Sequence, residues 1–167
     1  DLKSEIGGIM MKQCLNALIE DPKTEIIVLV SKPPAKDVED QILKIAANAG
    51  KPVVVCFIGG DAEKIKKAGL YAAVSLEDAA HKAVALAKGE AVSDFEDFTM
   101  GLEKAEALAA EERAGMIQGQ KYVRGLYTGG TICDEAMKLL IGSMGHIYSN
   151  IPLKAEDKLE NARNGKS

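Results

Sequence analysis

The sequence predicts an α/β fold built on a parallel sheet with helices on both faces. Three observations carry that reading. Residues 26–30 and 53–58 are continuous runs of Ile, Val, Leu, Cys and Phe, as strands buried on both faces require. The stretches around them repeat their apolar residues every three to four positions, the helical period. The joints are short and marked by Pro or Gly, so successive strands run the same way through right-handed crossovers.

Taken in order, residues 5–20 carry a helical stripe at Ile6, Met10, Cys14, Ala17 and Leu18. Asp21-Pro22 stops it, because proline lacks an N–H and disfavours helix at the residue before it. The first strand ends at Lys32-Pro33-Pro34, and a helix with Val38, Ile42, Ile45, Ala46 and Ala49 inward follows. Gly50 supplies that helix's C-terminal stop and Pro52 its exit. The second strand ends at Gly59-Gly60; residues 61–68 read as a short helix and 71–74 as a short strand. Ser75, with Asp78 three residues on, is a capping-box pattern opening a helix that buries Leu76, Ala80, Ala83, Val84 and Ala87.

Residues 89–100, with Gly, acidic groups and two Phe, change character and predict a linker. Residues 101–118 predict a surface helix, its apolar face (Leu102, Ala105, Leu108, Ala109) being thin. The α/β alternation then restarts: a strand at 122–127, a turn at Thr128-Gly129-Gly130-Thr131, a helix with Ile132, Ala136, Leu139 and Leu140 inward, and a strand at 146–151. Residues 154–167 are charged and rich in Asn and Gly, and predict a flexible tail.

The composition narrows the function classes. A net charge of −4 with 4% aromatics argues against nucleic acid, which wants a basic surface and stacking groups. No apolar run approaches the ~18 residues of a membrane span, and no basic-then-apolar leader opens the chain. Cys14, Cys56 and Cys133 are odd in number and widely spaced, which fits neither a disulfide framework nor a zinc spacing and makes a reducing cytoplasm the expectation.

Several segments resemble a known family. Gly7-Gly8, followed by Asp21-Pro22-Lys23-Thr24-Glu25-Ile26-Ile27-Val28-Leu29-Val30, is similar to the middle of the CoA-ligase domain of succinyl-CoA synthetases. Ala73-Val74-Ser75-Leu76-Glu77-Asp78-Ala79-Ala80-His81-Lys82-Ala83-Val84 is similar to its end. Arg124-Gly125-Leu126-Tyr127-Thr128-Gly129-Gly130-Thr131-Ile132-Cys133-Asp134-Glu135-Ala136, with Ile147-Tyr148-Ser149-Asn150-Ile151-Pro152-Leu153, resembles the opening of a further such domain. Both in this order, joined by a helical linker, resemble the FdrA group of acyl-CoA synthetase-like proteins over most of residues 1–153. The resemblance implies a flavodoxin-like sheet, acyl-CoA or acyl-phosphate metabolism, and a small-molecule acyl or phosphate substrate in the intact protein. It also implies that this chain is a piece. Residues 1–90 make the major part of one CoA-ligase-like domain, 91–120 a linker and helix, and 121–153 the opening strand–helix–strand of a second. CoA or a nucleotide would require the family's Rossmann domain, for which no segment is present, and the fragment alone is expected to be inactive.

The resemblance implies that residues 1–90 lack the opening strands of the family domain and that residues 121–153 are a second copy of them. Residues 121–153 are therefore expected to complete the sheet of residues 26–74 as a circularly permuted domain of about five strands, or by exchange in a homodimer. The alternative is a non-catalytic assembly module, or a subunit of a carbamoyltransferase complex in anaerobic allantoin breakdown, as the FdrA resemblance implies.

Candidate site residues lie at strand ends, where open α/β sheets bind ligands. Gly129-Gly130-Thr131 precedes a helix whose free amides favour an anion, or is a tight turn with Thr131 as cap and Asp134 at N3. Gly59-Gly60, before Asp61, has the same two readings. Lys32 faces that edge, either to meet an anion or as a solvated lysine. Cys133, in a first helical turn, is a weak nucleophile candidate beside a burial reading, while Cys14 and Cys56 read as core. The synthetases pass phosphate through a histidine on a Gly-His-Ala-Gly loop. The corresponding stretch here, residues 66–73, holds none; His81 reads as a wet helix position and His146 as a residue before a strand.

Overall fold

The computed structural model describes residues 1–95 and 100–161. Its elements are α1 (Ile9–Glu20), β1 (Ile27–Ser31), α2 (Lys36–Ala47), β2 (Val53–Phe57), α3 (Ala62–Lys67), β3 (Tyr71–Ala72), α4 (Leu76–Lys88), α5 (Leu102–Ala114) and α6 (Gly130–Met144), with a 3-10 turn at Ala155–Asp157. Among the described residues the sheet has the order β1-β2-β3 and is parallel throughout, with Ile27 opposite Val53, Ser31 opposite Phe57, and Val55 opposite Ala72. The α/β class and the open parallel sheet stand as the alternation of periods predicts.

β2 is the centre of the core. All five of its residues are buried, and their side chains divide between two clusters. Val53, Val55 and Phe57 meet Ile27, Leu29, Leu15, Val38, Ile42 and Ile65 on one face. Val54 and Cys56 meet Ile58, Ala73 and Ala79 on the other, with Leu76, Ala83 and Leu86 of α4 against them. Each fully buried Val, Leu or Ile stabilises the fold by about 1.5–3 kcal/mol. The helix at Ser75 begins as the capping pattern requires: Ser75 Oγ accepts from the Asp78 N–H at 3.0 Å.

β1 departs from its expected double burial. Ile27 and Leu29 are buried, but Val28 and Val30 are 40% and 41% exposed. The strand stands at the edge of the sheet, and α4, which also packs on β2, covers it only in part. Ile27 donates its N–H to Pro52 O, and Ser31 O accepts from Ile58 N–H. By strand alternation, the backbone groups of Val28 and Val30 therefore point away from β2, along a free edge.

Three helices turn a different face inward from the one their apolar period suggested. In α1 the expected stripe of Met10, Cys14, Ala17 and Leu18, with Ile6 ahead of it, is exposed; Leu15 is buried, with Met11 and Ile19 half-buried beside it. The helix is apolar around most of its circumference, so packing rather than pattern chose the face. In α4, Ala80, Val84 and Ala87 are exposed, and the inward stripe is Leu76, Ala79, Ala83 and Leu86, flanked by buried Asp78 and Lys82. In α6, Asp134 and Met137 are buried while Ile132, Leu139 and Leu140 are exposed. α5 has no buried residue, as its thin apolar face predicts.

Residues 122–127 form no strand, so the single chain does not complete its own sheet to five strands. Gly125 is the local reason, because glycine weakens a strand interior. The Tyr127 ring lies where a side chain on Gly125 would begin, 2.6 Å from that Cβ position. Tyr122, Val123 and Leu126 are left exposed. The expected strand at 146–151 is reduced to one parallel bridge, Ser149 to Lys158. The expected flexible tail is ordered in its first part, where Asp157 is 2% exposed; residues 162–167 lie outside the described residues, as does the second linker phenylalanine, Phe98. Among the described residues, no helix is long and apolar enough to cross a membrane.

Candidate functional site

The C-terminal ends of β1 and β2 meet the first two turns of α6. Three polar contacts hold the helix there. Lys32 Nζ stands 2.7 Å from Asp134 Oδ2, the backbone N–H of Leu76 donates to Glu135 Oε1 at 2.6 Å, and Lys138 Nζ donates to Ile58 O. Burial pushes the Lys138 ammonium below its usual range; Lys32 nearby adds to that, and Asp134 opposes it.

Lys32, Gly130 and Thr131 come together on one cavity of about 760 Å³, which Ser4, Ser31 and Pro33 also line. Lys32 precedes Pro33, which favours an extended backbone and carries the side chain past the strand end. The lysine tip lies directly over the start of α6: a methyl group on Gly130 would stand 3.4 Å from Lys32 Nζ, in van der Waals contact. Gly129 is the N-cap of α6 and makes no side-chain bond; Thr131 lies inside the helix and is not its cap. Asp134, expected at N3, uses its carboxylate on Lys32.

Gly59 and Gly60 do not line this cavity. They turn the chain out of β2, with Gly59 at φ +75° and the Gly60 N–H on Phe57 O at 2.6 Å. Asp61 then caps α3 by accepting from the Lys64 N–H at 3.1 Å. A side chain on Gly59 would collide with Lys138, so this glycine makes room for the lysine.

The electrostatics at Lys32 are mixed. A helix N-terminus carries roughly half a positive charge, so the lysine and the helix repel one another, and Asp134 offsets both. An anion entering the cavity would meet helix amides and an ammonium, but would compete with that carboxylate. Sequence reasoning missed Glu135 and Lys138, and saw Asp134 only as a helix-start residue. The available signal was the i, i+4 spacing of Asp134 and Lys138.

The thiols divide by position. Cys56 is buried in the sheet, and desolvation, reinforced by Glu135 and Asp78, pushes its pKa up to about 11. Cys133 is half-buried, and Cys14, expected in the core, is exposed on α1. His81 lies on the wet side of α4, its ring stacked on Phe95 at 3.9 Å between centroids.

These features define an α/β protein with an open parallel sheet and a polar cleft where strand ends meet a helix start. No protein-family model matches the chain. It is similar to "Uncharacterized protein YahF" of Escherichia coli (strain K12), with 41% identity over 160 residues, covering 96% of this chain. The chain spans about 30% of the length of that relative.

Proposed function

We propose that the chain is part of an FdrA-type, succinyl-CoA synthetase-like protein, and that its cleft takes the phosphate or carboxylate end of an acyl or carbamoyl substrate. One observation carries the reading: Lys32, Gly130 and Thr131 line a single cavity at the C-terminal edge of a parallel sheet, the usual ligand side of such sheets. A phosphohistidine step is not part of the proposal, because residues 66–73 hold no histidine and His81 lies in the middle of α4. CoA or nucleotide chemistry belongs to a module outside this chain.

The test is a thermal-shift series with carbamoyl phosphate, acetyl phosphate, CoA, acyl-CoA and ATP. A ligand at one hundred times its Kd stabilises by about 2.7 kcal/mol, a clear rise in Tm. A rise with the acyl phosphates that Lys32→Ala removes supports the site. No rise with either carbamoyl phosphate or acetyl phosphate sinks it.

A second reading, an assembly module, is favoured by a different observation. The free edge of β1, the exposed Val28 and Val30, and the exposed α1 stripe of Met10, Cys14 and Leu18 lie open in a chain that also leaves residues 122–127 unpaired. The occupant proposed is the 122–127 segment of a second copy, giving a strand-exchanged homodimer. Size-exclusion chromatography with light scattering decides it; a monomer at high micromolar concentration overturns it.

A further inference from the structure

We propose a second binding site, separate from the Lys32 cleft, that takes a small aromatic carboxylate between α6 and the chain segments flanking it. A cavity of about 390 Å³ lies there, within the roughly 300–1,000 Å³ of small-molecule sites. Its floor is one stripe of α6: Cys133, Met137, Leu140 and Met144 follow one another at helical spacing and all line it. Methionine is flexible and polarisable, and its sulfur packs well at the edge of an aromatic ring, so this floor suits a flat guest. Tyr122, Tyr127 and Tyr148 line the same space and supply ring faces and edges for stacking.

Local structure holds the walls. Residues 146–149 and Leu159 form one of them. There Ser149 N–H donates to Asp157 O at 3.0 Å, Leu159 N–H donates to Ser149 O at 2.9 Å, and His146 Nδ1 stands 2.9 Å from Asp157 Oδ1. Residues 121–127 form another, in which the Tyr127 ring folds back against Gly125. Tyr127, Leu140 and Met144 remain partly exposed around the space, apolar surface that a guest would cover.

Charge selects the sign of the guest. The chain carries 25 acidic against 21 basic residues, yet no Asp or Glu lines this cavity, whereas Lys121 and Arg124 do. Among the described residues neither cation forms an ion pair, while Lys32 in the first cleft is tied to Asp134. The planar guanidinium of an arginine meets a carboxylate through two parallel hydrogen bonds. Lys121 and Arg124 are exposed, so the charged end of the guest sits at the mouth, and its ring points inward toward Met137, which is 4% exposed.

The experiment is isothermal titration of the full chain with 2-naphthoate, and separately with naphthalene-2-carboxamide, a neutral molecule of the same shape. The expected result is one 2-naphthoate per chain. The carboxamide should bind at least about tenfold more weakly, and Arg124→Ala should cost 2-naphthoate a similar factor, of which Arg124→Lys recovers part. Cys133→Phe, which fills the cavity and leaves both cations in place, should abolish binding. Lys32→Ala should leave it unchanged, so this site and the acyl-phosphate cleft stand or fall separately. Arg124 is exposed, so its variants keep the fold and remain decisive if Cys133→Phe disturbs α6. Absence of saturable 2-naphthoate binding overturns the proposal, as does a carboxamide that binds equally well, binding indifferent to Arg124→Ala, or binding lost in Lys32→Ala.

Discussion

Lys82 Nζ stands 2.8 Å from Asp78 Oδ2, with 4% and 0% of the two side chains exposed. The pair is the polar heart of α4. Lys82 also donates to Ala72 O at 2.6 Å and to Asp94 Oδ1 at 2.7 Å, while Asp78 accepts from the backbone N–H groups of Val74 and Phe95. The network thus ties the end of β3, the helix and the chain beyond it together. Removing one partner of a buried pair leaves the other charge uncompensated, which costs about 3 kcal/mol or more. Lys82→Met should lower the free energy of unfolding by that amount, read as a lower urea midpoint with the slope of the transition unchanged. A loss under about 1 kcal/mol would mean that water reaches Asp78 and that the pair is not structural.

The same network sets a pH dependence. Burial pushes the Lys82 ammonium down, but its bonds to Asp78 and Asp94 outweigh that and hold it above its ordinary 10.5. A raised folded value means that the contribution is fully present below pH 10.5 and is lost as the pH rises through the folded value. Asp94 has the opposite sign: its bond to Lys82 lowers it from 3.8, so its contribution is present above that pH and lost in stronger acid. Chemical denaturation across pH 9–12 should show wild type losing stability more steeply than Lys82→Met. Parallel curves refute the assignment.

How much of this was legible in the sequence depended on which force decided each element. β2 was legible because a strand buried on both faces writes a continuous apolar run, and Val53 to Phe57 do so. β1 writes the same kind of run and is nevertheless half-exposed, because burial of Val28 and Val30 depends on what covers the sheet edge. The helix at Ser75 was legible from its cap, but its inward face was not. Lys82 and Asp78 are polar residues inside, and a hydrophobic pattern passes over buried charges that satisfy each other. Lys32, Gly130 and Thr131 were each visible as strand-end residues. Their convergence, and the carboxylate of Asp134 between them, follows from where α6 docks, which no local pattern records.

The three thiols should react in an order set by burial. Cys14 is exposed, Cys133 half-buried and Cys56 buried with its pKa pushed up to about 11, so at pH 8 Cys56 is almost wholly the unreactive thiol. Alkylation of the native protein followed by peptide mass spectrometry should label Cys14 first. Cys56 should be labelled only on unfolding, at a rate that follows global opening. Early labelling of Cys56 would place the sheet's second face in contact with solvent.

A charge on the edge strand tests the exchange reading directly. Val30 is 41% exposed and its backbone groups point along the free edge, so Val30→Lys should cost little in the monomer. In an exchanged dimer the added ammonium would be driven into the new interface. Light scattering should then show a dimeric wild type and a folded, monomeric variant whose Tm, unlike that of wild type, does not depend on protein concentration. If wild type is dimeric and the variant equally so, the dimer uses another surface.

The Lys32–Asp134 pair gives the sharpest test of the cleft, because its two members should act in opposite directions. Lys32 is 47% exposed and Asp134 12%, so the lysine remains reachable by a ligand while the carboxylate holds it from below. An acyl phosphate must take the ammonium away from Asp134 before it gains the interaction, and it is repelled by the carboxylate while it does so. Lys32→Ala removes the attraction and should weaken binding by about tenfold, the worth of one charge-assisted contact at a half-exposed position. Asp134→Asn keeps the shape, frees the lysine and removes the repulsion, so it should tighten acetyl phosphate several-fold, with the gain shrinking as salt is raised. Weaker binding in both variants would mean that the pair positions α6 and does not meet the ligand; no change in either would move the anion site elsewhere.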